Sequence, residues 1–145
     1  MFVLSKRSTL RIQGIDPVLI SIIELAIKTS PYDFGIPAYG GKRSDEEQID
    51  MYAKGRTTEE LMKKGIFNVD GQPDKRKVTW TLNSYHKSGK AFDIYAYVNG
   101  GASWSMKYME PIARHLQKIA LEEFGVELEW GYDLWKKDGA HFQIK

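Results

Sequence analysis

The sequence contains no cysteine. This absence excludes disulfide bonds, a thiolate nucleophile and a zinc site built on cysteine ligands. It leaves the redox compartment open, because a chain without cysteine can work on either side of a membrane. Any zinc site would therefore consist of histidine and carboxylate ligands.

Long apolar runs and a strong charge imbalance are also missing. No stretch approaches the roughly 20 apolar residues of a membrane-spanning helix, and the opening "MFVLSKRSTLRIQG" lacks the apolar core of a signal peptide. We therefore expect neither a signal peptide nor stable insertion into a membrane. The net charge is only +2, and the one basic run, residues 75–77, is typical of a solvated loop. A nucleic-acid-binding function is not expected.

The patterning of the chain predicts helices and short strands in one domain. The 145 residues, 42% of them apolar, suit one core, so we expect residues 1–145 to form a single domain. Helices are predicted in "IDPVLISIIELAIKTSP", "SDEEQIDMYAKG", "TTEELMKKG" and "MEPIARHLQKIALEEFG". Asp16 followed by Pro17 is the predicted N-terminal cap of the first, and Ser44 with Glu47 is a predicted capping box on the second. Strands are predicted in "FGIPAYGGKR", "VTWTL", "AFDIYAYV", "VELEW" and "HFQI". This order favours an α+β fold with a small antiparallel sheet flanked by helices.

One carboxylate interrupts an otherwise apolar strand. Asp93 lies between Phe92 and Ile94, where a carboxylate is costly to bury without a partner. The alternation of the strand places two sets of side chains on opposite faces, Phe92, Ile94, Ala96 and Val98 on one and Asp93, Tyr95 and Tyr97 on the other. We therefore expect a cationic group to face Asp93.

Two of the three histidines lie next to strand signals, with carboxylates near them in sequence. His86 precedes Asp93, and His141 follows Asp138. Two imidazoles and one carboxylate form a three-ligand zinc set that leaves a fourth position for water, as catalytic sites do. By spacing alone, the alternative of hydrogen-bonded histidines near strand ends stays open. The third histidine, His115, lies within the long predicted helix and is interpreted as structural or exposed.

A second carboxylate, Asp138, suits a catalytic role. Gly139 and Ala140 interrupt the regular strand before His141, so Asp138 can turn beside a metal. A carboxylate in that position can take a proton from water and later pass it to a leaving amine.

The string "SYHKSGKAFD" at residues 84–93, followed by "DGAH" at residues 138–141, resembles the signature of the zinc D-Ala-D-Ala and L-Ala-D-Glu peptidases. The likeness is greatest to bacteriophage endolysins that act as L-alanyl-D-glutamate peptidases. It extends over "SPYDFGI", "GKRSDEEQIDMYAKG" and "ELEWGYDLWKKDGAHFQI". The resemblance implies a Hedgehog/DD-peptidase-like fold with a zinc site at the sheet. Because one domain accounts for residues 1–145, we expect no separate cell-wall-binding domain.

The resemblance also implies a role for individual residues. His86, Asp93 and His141 would bind one zinc ion per chain, and Asp138 would be the catalytic base. Arg43 would contact substrate. Its fork of donors also suits the developing oxyanion, together with zinc, whereas without the resemblance Arg43 would be interpreted as a surface residue before a helix cap. The remaining implied substrate contacts are Ser84 and Gln48, while Trp80, Trp130 and Trp135 are expected in the core or the cleft walls.

The function implied is a zinc peptidase that cleaves the L-Ala–D-Glu bond of the peptidoglycan stem peptide and lyses a bacterial host. Such a protein would act as a monomer and remain in the host cytoplasm until a separate holin-like pore releases it to the periplasm and wall. A D-Ala-D-Ala carboxypeptidase or dipeptidase of the same fold is the nearest alternative. A zinc-stabilised binding module without catalysis is another, which the presence of Asp138 disfavours.

Overall fold

The computed structural model describes all 145 residues. The helices are α1 (Lys6–Arg11), α2 (Pro17–Lys28), α3 (Asp45–Ala53), α4 (Thr58–Lys63), α5 (Met106–Phe124) and α6 (Gly131–Trp135). The strands are β1 (Asp33–Gly35), β2 (Ala91–Asp93), β3 (Tyr95–Val98), β4 (Gly101–Ser103), β5 (Leu128–Trp130) and β6 (His141–Ile144). One turn of 3₁₀ helix at Tyr85–Ser88 precedes β2. The α+β class predicted from the sequence is confirmed.

The strands form two antiparallel sheets of three strands each, ordered β1-β3-β4 and β2-β6-β5, where the sequence had suggested one. The predicted strand "AFDIYAYV" is divided between them at Ile94. The reason lies in its hydrogen bonds: the Asp93 amide donates to the Gly40 carbonyl at 2.8 Å, and the Ile94 amide donates to the Ala140 carbonyl at 3.0 Å. The chain therefore leaves one sheet and enters the other, while its alternation of buried and outward side chains continues.

The core lies between α2, α5 and the two sheets. Helix α5 packs on α2 and also contacts β3 and β5, so it touches both sheets. Fully buried apolar side chains fill the space, among them Leu19, Ile22, Ile23, Phe92, Ile112, Leu116, Trp130 and Phe142. Burying one such aliphatic or phenyl side chain stabilises the fold by about 1.5–3 kcal/mol.

His115 Nε2 lies 2.9 Å from Thr29 Oγ1 and 3.0 Å from the Ala26 carbonyl. This places it at the α2–α5 contact as a structural residue.

Helix caps appear where the sequence predicted them. Asp16 caps α2, with Pro17 at its first position, and its carboxylate accepts a hydrogen bond from the Val18 amide at 3.0 Å. Ser44 and Glu47 form the predicted capping box at the start of α3, each side chain accepting from the other's backbone amide. This box fixes the position of the chain immediately after Arg43.

The segment "VTWTL" is not a strand, and here the sequence prediction was wrong. Residues 76–84 are irregular and line one side of a cleft. The β-branched residues at 78, 79 and 81 favour extended backbone, but strand formation needs a neighbouring strand and none lies beside them. The loop is instead attached to α3, because Gln48 Nε2 donates to the Thr81 carbonyl at 2.7 Å.

No helix of the structure has the length and apolar character that crossing a bilayer requires.

Candidate metal and active site

Three elements bring His86, Asp93 and His141 together. His86 lies in the 3₁₀ helix, Asp93 ends β2 and His141 begins β6, where it is the direct cross-strand neighbour of Asp93. His86 Nε2 lies 3.1 Å from Asp93 Oδ1 and 3.2 Å from His141 Nδ1. His141 Nδ1 lies 3.4 Å from the same carboxylate oxygen. The turn that returns the chain from His86 to β2 depends on Gly89, whose φ of +76° favours glycine.

In each imidazole one nitrogen approaches Asp93, the inner nitrogen, and the other does not, the outer nitrogen. The outer nitrogen contacts a backbone or side-chain oxygen. His86 Nδ1 lies 2.8 Å from the Gly41 carbonyl, and His141 Nε2 lies 2.8 Å from Gln143 Oε1. The Gln143 amide nitrogen in turn donates to Glu129 Oε1 at 3.1 Å, so its oxygen is the atom that faces His141. Both contacts assign the proton of a neutral imidazole to its outer nitrogen. The inner nitrogens are then free to present lone pairs towards Asp93.

This arrangement fits a zinc ion. One atom from each of His86, Asp93 and His141 lies within 4.8 Å of the others, and the residues are buried or half-buried. Two imidazole nitrogens and one carboxylate oxygen are a donor set that zinc uses in catalytic sites, with a further position left for solvent. Histidine ligands of metals commonly donate their other N–H to an oxygen, as the contacts to Gly41 and Gln143 allow.

The electrostatics of the site also favour a cation. Burial alone would raise the pKa of Asp93, but His86, His141 and Arg43 together hold that pKa well below its ordinary value. Burial would lower the pKa of His141, but its hydrogen bond with Asp93 and the charge of Asp93 raise it. The raised pKa of His141 shows that the Asp93 carboxylate favours a positive charge beside it, as a bound cation would supply.

Arg43 lies at the edge of this space. Its Nη2 donates to Asp93 Oδ2 at 2.8 Å, its Nε to the Tyr39 carbonyl at 2.7 Å and its Nη1 to Gln48 Oε1 at 3.1 Å. The residue is only 5% exposed, yet it lines the cleft. A guanidinium has five N–H groups, so two remain after these three bonds and can face a bound ligand. Arg43 is therefore held rigidly while keeping donors available.

Gln48 lies behind Arg43 and not in the lining of the cleft. It is 1% exposed, accepts a hydrogen bond from Arg43 and donates to the Thr81 carbonyl. The contact with substrate that the resemblance implied for Gln48 stays a prediction, and the structure adds a supporting position behind Arg43. Gln48 instead connects Arg43 to the irregular loop at residues 76–84.

Ser84 lines the cleft and also caps the 3₁₀ helix. Its Oγ accepts a hydrogen bond from the His86 amide at 3.2 Å. The hydroxyl therefore helps to position a metal-ligand candidate, and it lies where a bound peptide could reach it. The structure thus gives the predicted serine a local structural role in addition to its expected contact with substrate.

Asp138 lines the same cleft, beside the three converging side chains. Its backbone adopts the left-handed conformation with φ +62°, which aspartate tolerates better than most residues. Gly131 allows this turn to pack closely, because a Cβ there would lie 2.4 Å from the Asp138 carbonyl oxygen. Burial, and secondarily the charge of Asp93, raise the pKa of Asp138 to about 6, although His141, His86 and Arg43 oppose the shift.

The cleft has a volume of about 520 Å³ and runs between the irregular loop and the turn before β6. Trp80 and Trp135 form parts of its wall and are about half exposed, whereas Trp130 is fully buried in the core. The ring centroid of Trp135 lies 5.4 Å from that of His141.

Sequence reasoning did not single out Lys137, which also lines the cleft. Its position directly before Asp138 was the available signal.

Comparison with known proteins identifies a family and similar solved structures. Residues 68–144 match the family described as phage L-alanyl-D-glutamate peptidase. This range contains His86, Asp93, Asp138 and His141, and Arg43 precedes it. The search of curated proteins found no match.

Two of the similar solved structures are peptidases. The L-Ala D-Glu endopeptidase ChiX of Serratia marcescens has a TM-score of 0.71 and 29% identity, over 99% of this chain and 90% of that one. The L,D-carboxypeptidase DacB of Streptococcus pneumoniae has a TM-score of 0.50 and 18% identity, over 93% of this chain and 68% of that one. The second likeness shows a shared fold alone.

Proposed function

The chain belongs to the phage L-alanyl-D-glutamate peptidase family, and we propose that it is a zinc-dependent endopeptidase that cleaves the L-Ala–D-Glu bond of the peptidoglycan stem peptide. One observation carries the proposal: His86, Asp93 and His141 converge within 4.8 Å in a cleft that Asp138 also lines. Three potential ligands and a separate carboxylate are the parts that a metallopeptidase requires.

Different residues of the cleft have different roles in the proposed reaction. His86, Asp93 and His141 would hold zinc, which when bound supplies Lewis-acid polarisation of a carbonyl and activation of water. Asp138 takes a proton from the attacking water and returns it to the amine nitrogen of D-Glu as the C–N bond breaks. The free N–H groups of Arg43 donate to the oxygen of the scissile carbonyl as negative charge develops there.

We further propose that residues 1–145 act as one catalytic domain in the lysis of a bacterial host. A holin-like pore would give the monomeric protein access to the wall. A turbidity assay on cells with a permeabilised outer membrane tests the lytic role. Clearing by the zinc-loaded protein, its loss with chelator and its return with added zinc are the expected results. A carboxypeptidase that trims only the end of the stem would leave the wall intact and the suspension turbid.

Replacement of Arg43 by lysine is expected to preserve zinc binding and lower the cleavage rate by about 10²–10³-fold, the usual effect of losing one oxyanion donor. Lysine keeps a positive charge near Asp93 but cannot donate in the geometry of a guanidinium fork. Zinc content and the initial rate on a muropeptide are measured on the same sample.

The matched control for this prediction is Arg114→Lys, because Arg114 forms an exposed ion pair with Asp133 at 2.6 Å and does not line the cleft. The control should retain near-normal turnover. Near-normal turnover by Arg43→Lys as well would restrict Arg43 to a structural role.

The activity is expected to fall on the acid side of neutrality. Asp138 must be deprotonated to act as a base, so protonation as the pH falls through its pKa removes activity. Burial raises that pKa to about 6, and a bound divalent cation would lower it, so the midpoint should lie at or below pH 6. The measurement is kcat/KM against pH at saturating zinc. A midpoint well above pH 6 would contradict the assignment of this loss of activity to protonation of Asp138.

A further inference from the structure

Lys137 is the cleft-lining cation that forms no ion pair with a carboxylate. The other basic side chain of the lining, Arg43, is paired with Asp93 at 2.8 Å. The Lys137 ammonium instead lies 4.2 Å from the centroid of the Trp80 ring. Lys137 and Trp80 belong to opposite sides of the cleft, the turn before β6 and the irregular loop. The cation is therefore held across the cleft and remains available to an anion.

The sharp turn around Lys137 separates it from its neighbour. Lys136 has φ +56° and Asp138 has φ +62°, so left-handed backbone flanks Lys137 on both sides. The Lys136 ammonium lies 5.9 Å from the centroid of Tyr132, and Lys136 does not line the cleft. Two adjacent lysines thus have the same chemistry and different surroundings, and only Lys137 shares a cleft with Asp138.

The substrate named by the proposed function carries an anion close to the bond that breaks. The D-glutamate residue gives its nitrogen to the scissile bond and has two carboxyl groups. At most one of them continues the peptide, so at least one is left free, only a few bonds from the scissile nitrogen. Asp138 is the group proposed to protonate that nitrogen, and Lys137 is adjacent to Asp138 in the chain.

We propose that Lys137 binds the free carboxylate of the D-glutamate residue, so that the enzyme prefers stems in which this group is ionised over stems in which it is amidated. The inference rests on the proposed function, since it assigns a subsite within the same cleft. Arg43 is already assigned to the oxygen of the scissile carbonyl, and Lys137 is the remaining basic residue of the cleft lining. The two cations then have separate partners, Arg43 the scissile carbonyl oxygen and Lys137 the glutamate carboxylate.

The ring of Trp80 contributes by holding the ammonium before substrate arrives. A cation placed over an indole face is attracted to the ring and loses less freedom when it binds an anion. Because Lys137 is exposed, salt screens its attraction to a carboxylate, so the preference should weaken as ionic strength rises.

Two synthetic stem peptides test the proposal, identical except that the free carboxylate of D-glutamate is a carboxamide in one. We expect kcat/KM of the zinc-loaded wild type to be about twofold to fivefold higher for the carboxylate form, the range for an ion pair of an exposed side chain. Lys137→Met should bring the ratio close to one, and Lys137→Arg should retain it. Lys136→Met is the matched control and should behave as wild type.

Equal cleavage of the two peptides by wild type would overturn the proposal, as would an undiminished preference in Lys137→Met with zinc content and fold intact. A preference that Lys136→Met abolishes as fully as Lys137→Met would also overturn it, because the effect would then reflect general surface charge. Cleavage of neither peptide by wild type would instead reject the proposed function, and the inference with it.

Discussion

Replacing Asp138 with asparagine is expected to lower the cleavage rate by about 10²–10⁴-fold, the typical value of a general acid–base group, and to leave zinc content nearly unchanged. Asparagine has nearly the same shape as aspartate but cannot accept the proton of the attacking water. Asp138 is not one of the three side chains that converge at the candidate metal position. The variant should therefore fold, bind zinc and fail to lyse walls.

Zinc content and initial rate measured side by side check this prediction. Asp133→Asn is the matched control, because Asp133 is a nearby aspartate that pairs with Arg114 and does not line the cleft. A rate for Asp138→Asn within about threefold of wild type, far inside the range of a lost general base, would contradict the mechanism. Loss of zinc from the variant would show that Asp138 is a ligand, and the division of roles would fail.

Replacing His86 or His141 with alanine is expected to remove most of the zinc and, with it, nearly all activity. Each change takes away one of three donors, and two remaining donors bind zinc far more weakly. Each histidine also contacts the Asp93 carboxylate, so its removal takes away one of the groups that hold the pKa of this largely buried acid down. We therefore expect lower thermal stability as well as lower zinc content.

Metal analysis after gel filtration measures the zinc bound per chain, and circular dichroism checks that each variant is folded. The third histidine supplies the control, because His115 contacts Thr29 and the Ala26 carbonyl away from the cleft. His115→Ala should keep its zinc. Stoichiometric zinc in both His86→Ala and His141→Ala would reject the ligand assignment.

The local features of the fold were predictable because they depend on neighbours in sequence. The caps of α2 and α3 use hydrogen bonds within a few residues, so Asp16, Ser44 and Glu47 identified them without a structure. The unusual carboxylate at Asp93 predicted a cationic partner for the same reason, since its apolar flanks are visible in the chain. The structure supplies His86, His141 and Arg43 as these partners.

The features that sequence reasoning missed depend on contacts between distant segments. The division of one predicted strand at Ile94 follows from carbonyls at positions 40 and 140, which no local pattern shows. The enclosed position of Gln48 follows from its bond to Thr81, which is distant in sequence. The position of the Lys137 ammonium depends on Trp80, which is distant in sequence. Propensity describes each segment alone, and tertiary partners decide what the segment becomes.

The products of a defined muropeptide test the central claim most directly. Mass spectrometry of the digest should show one fragment that ends with L-Ala and one that begins with D-Glu. Chelator should abolish both fragments, and added zinc should restore them. Release of D-Ala with the L-Ala–D-Glu bond intact, or cleavage that persists in zinc-free protein, would contradict the account.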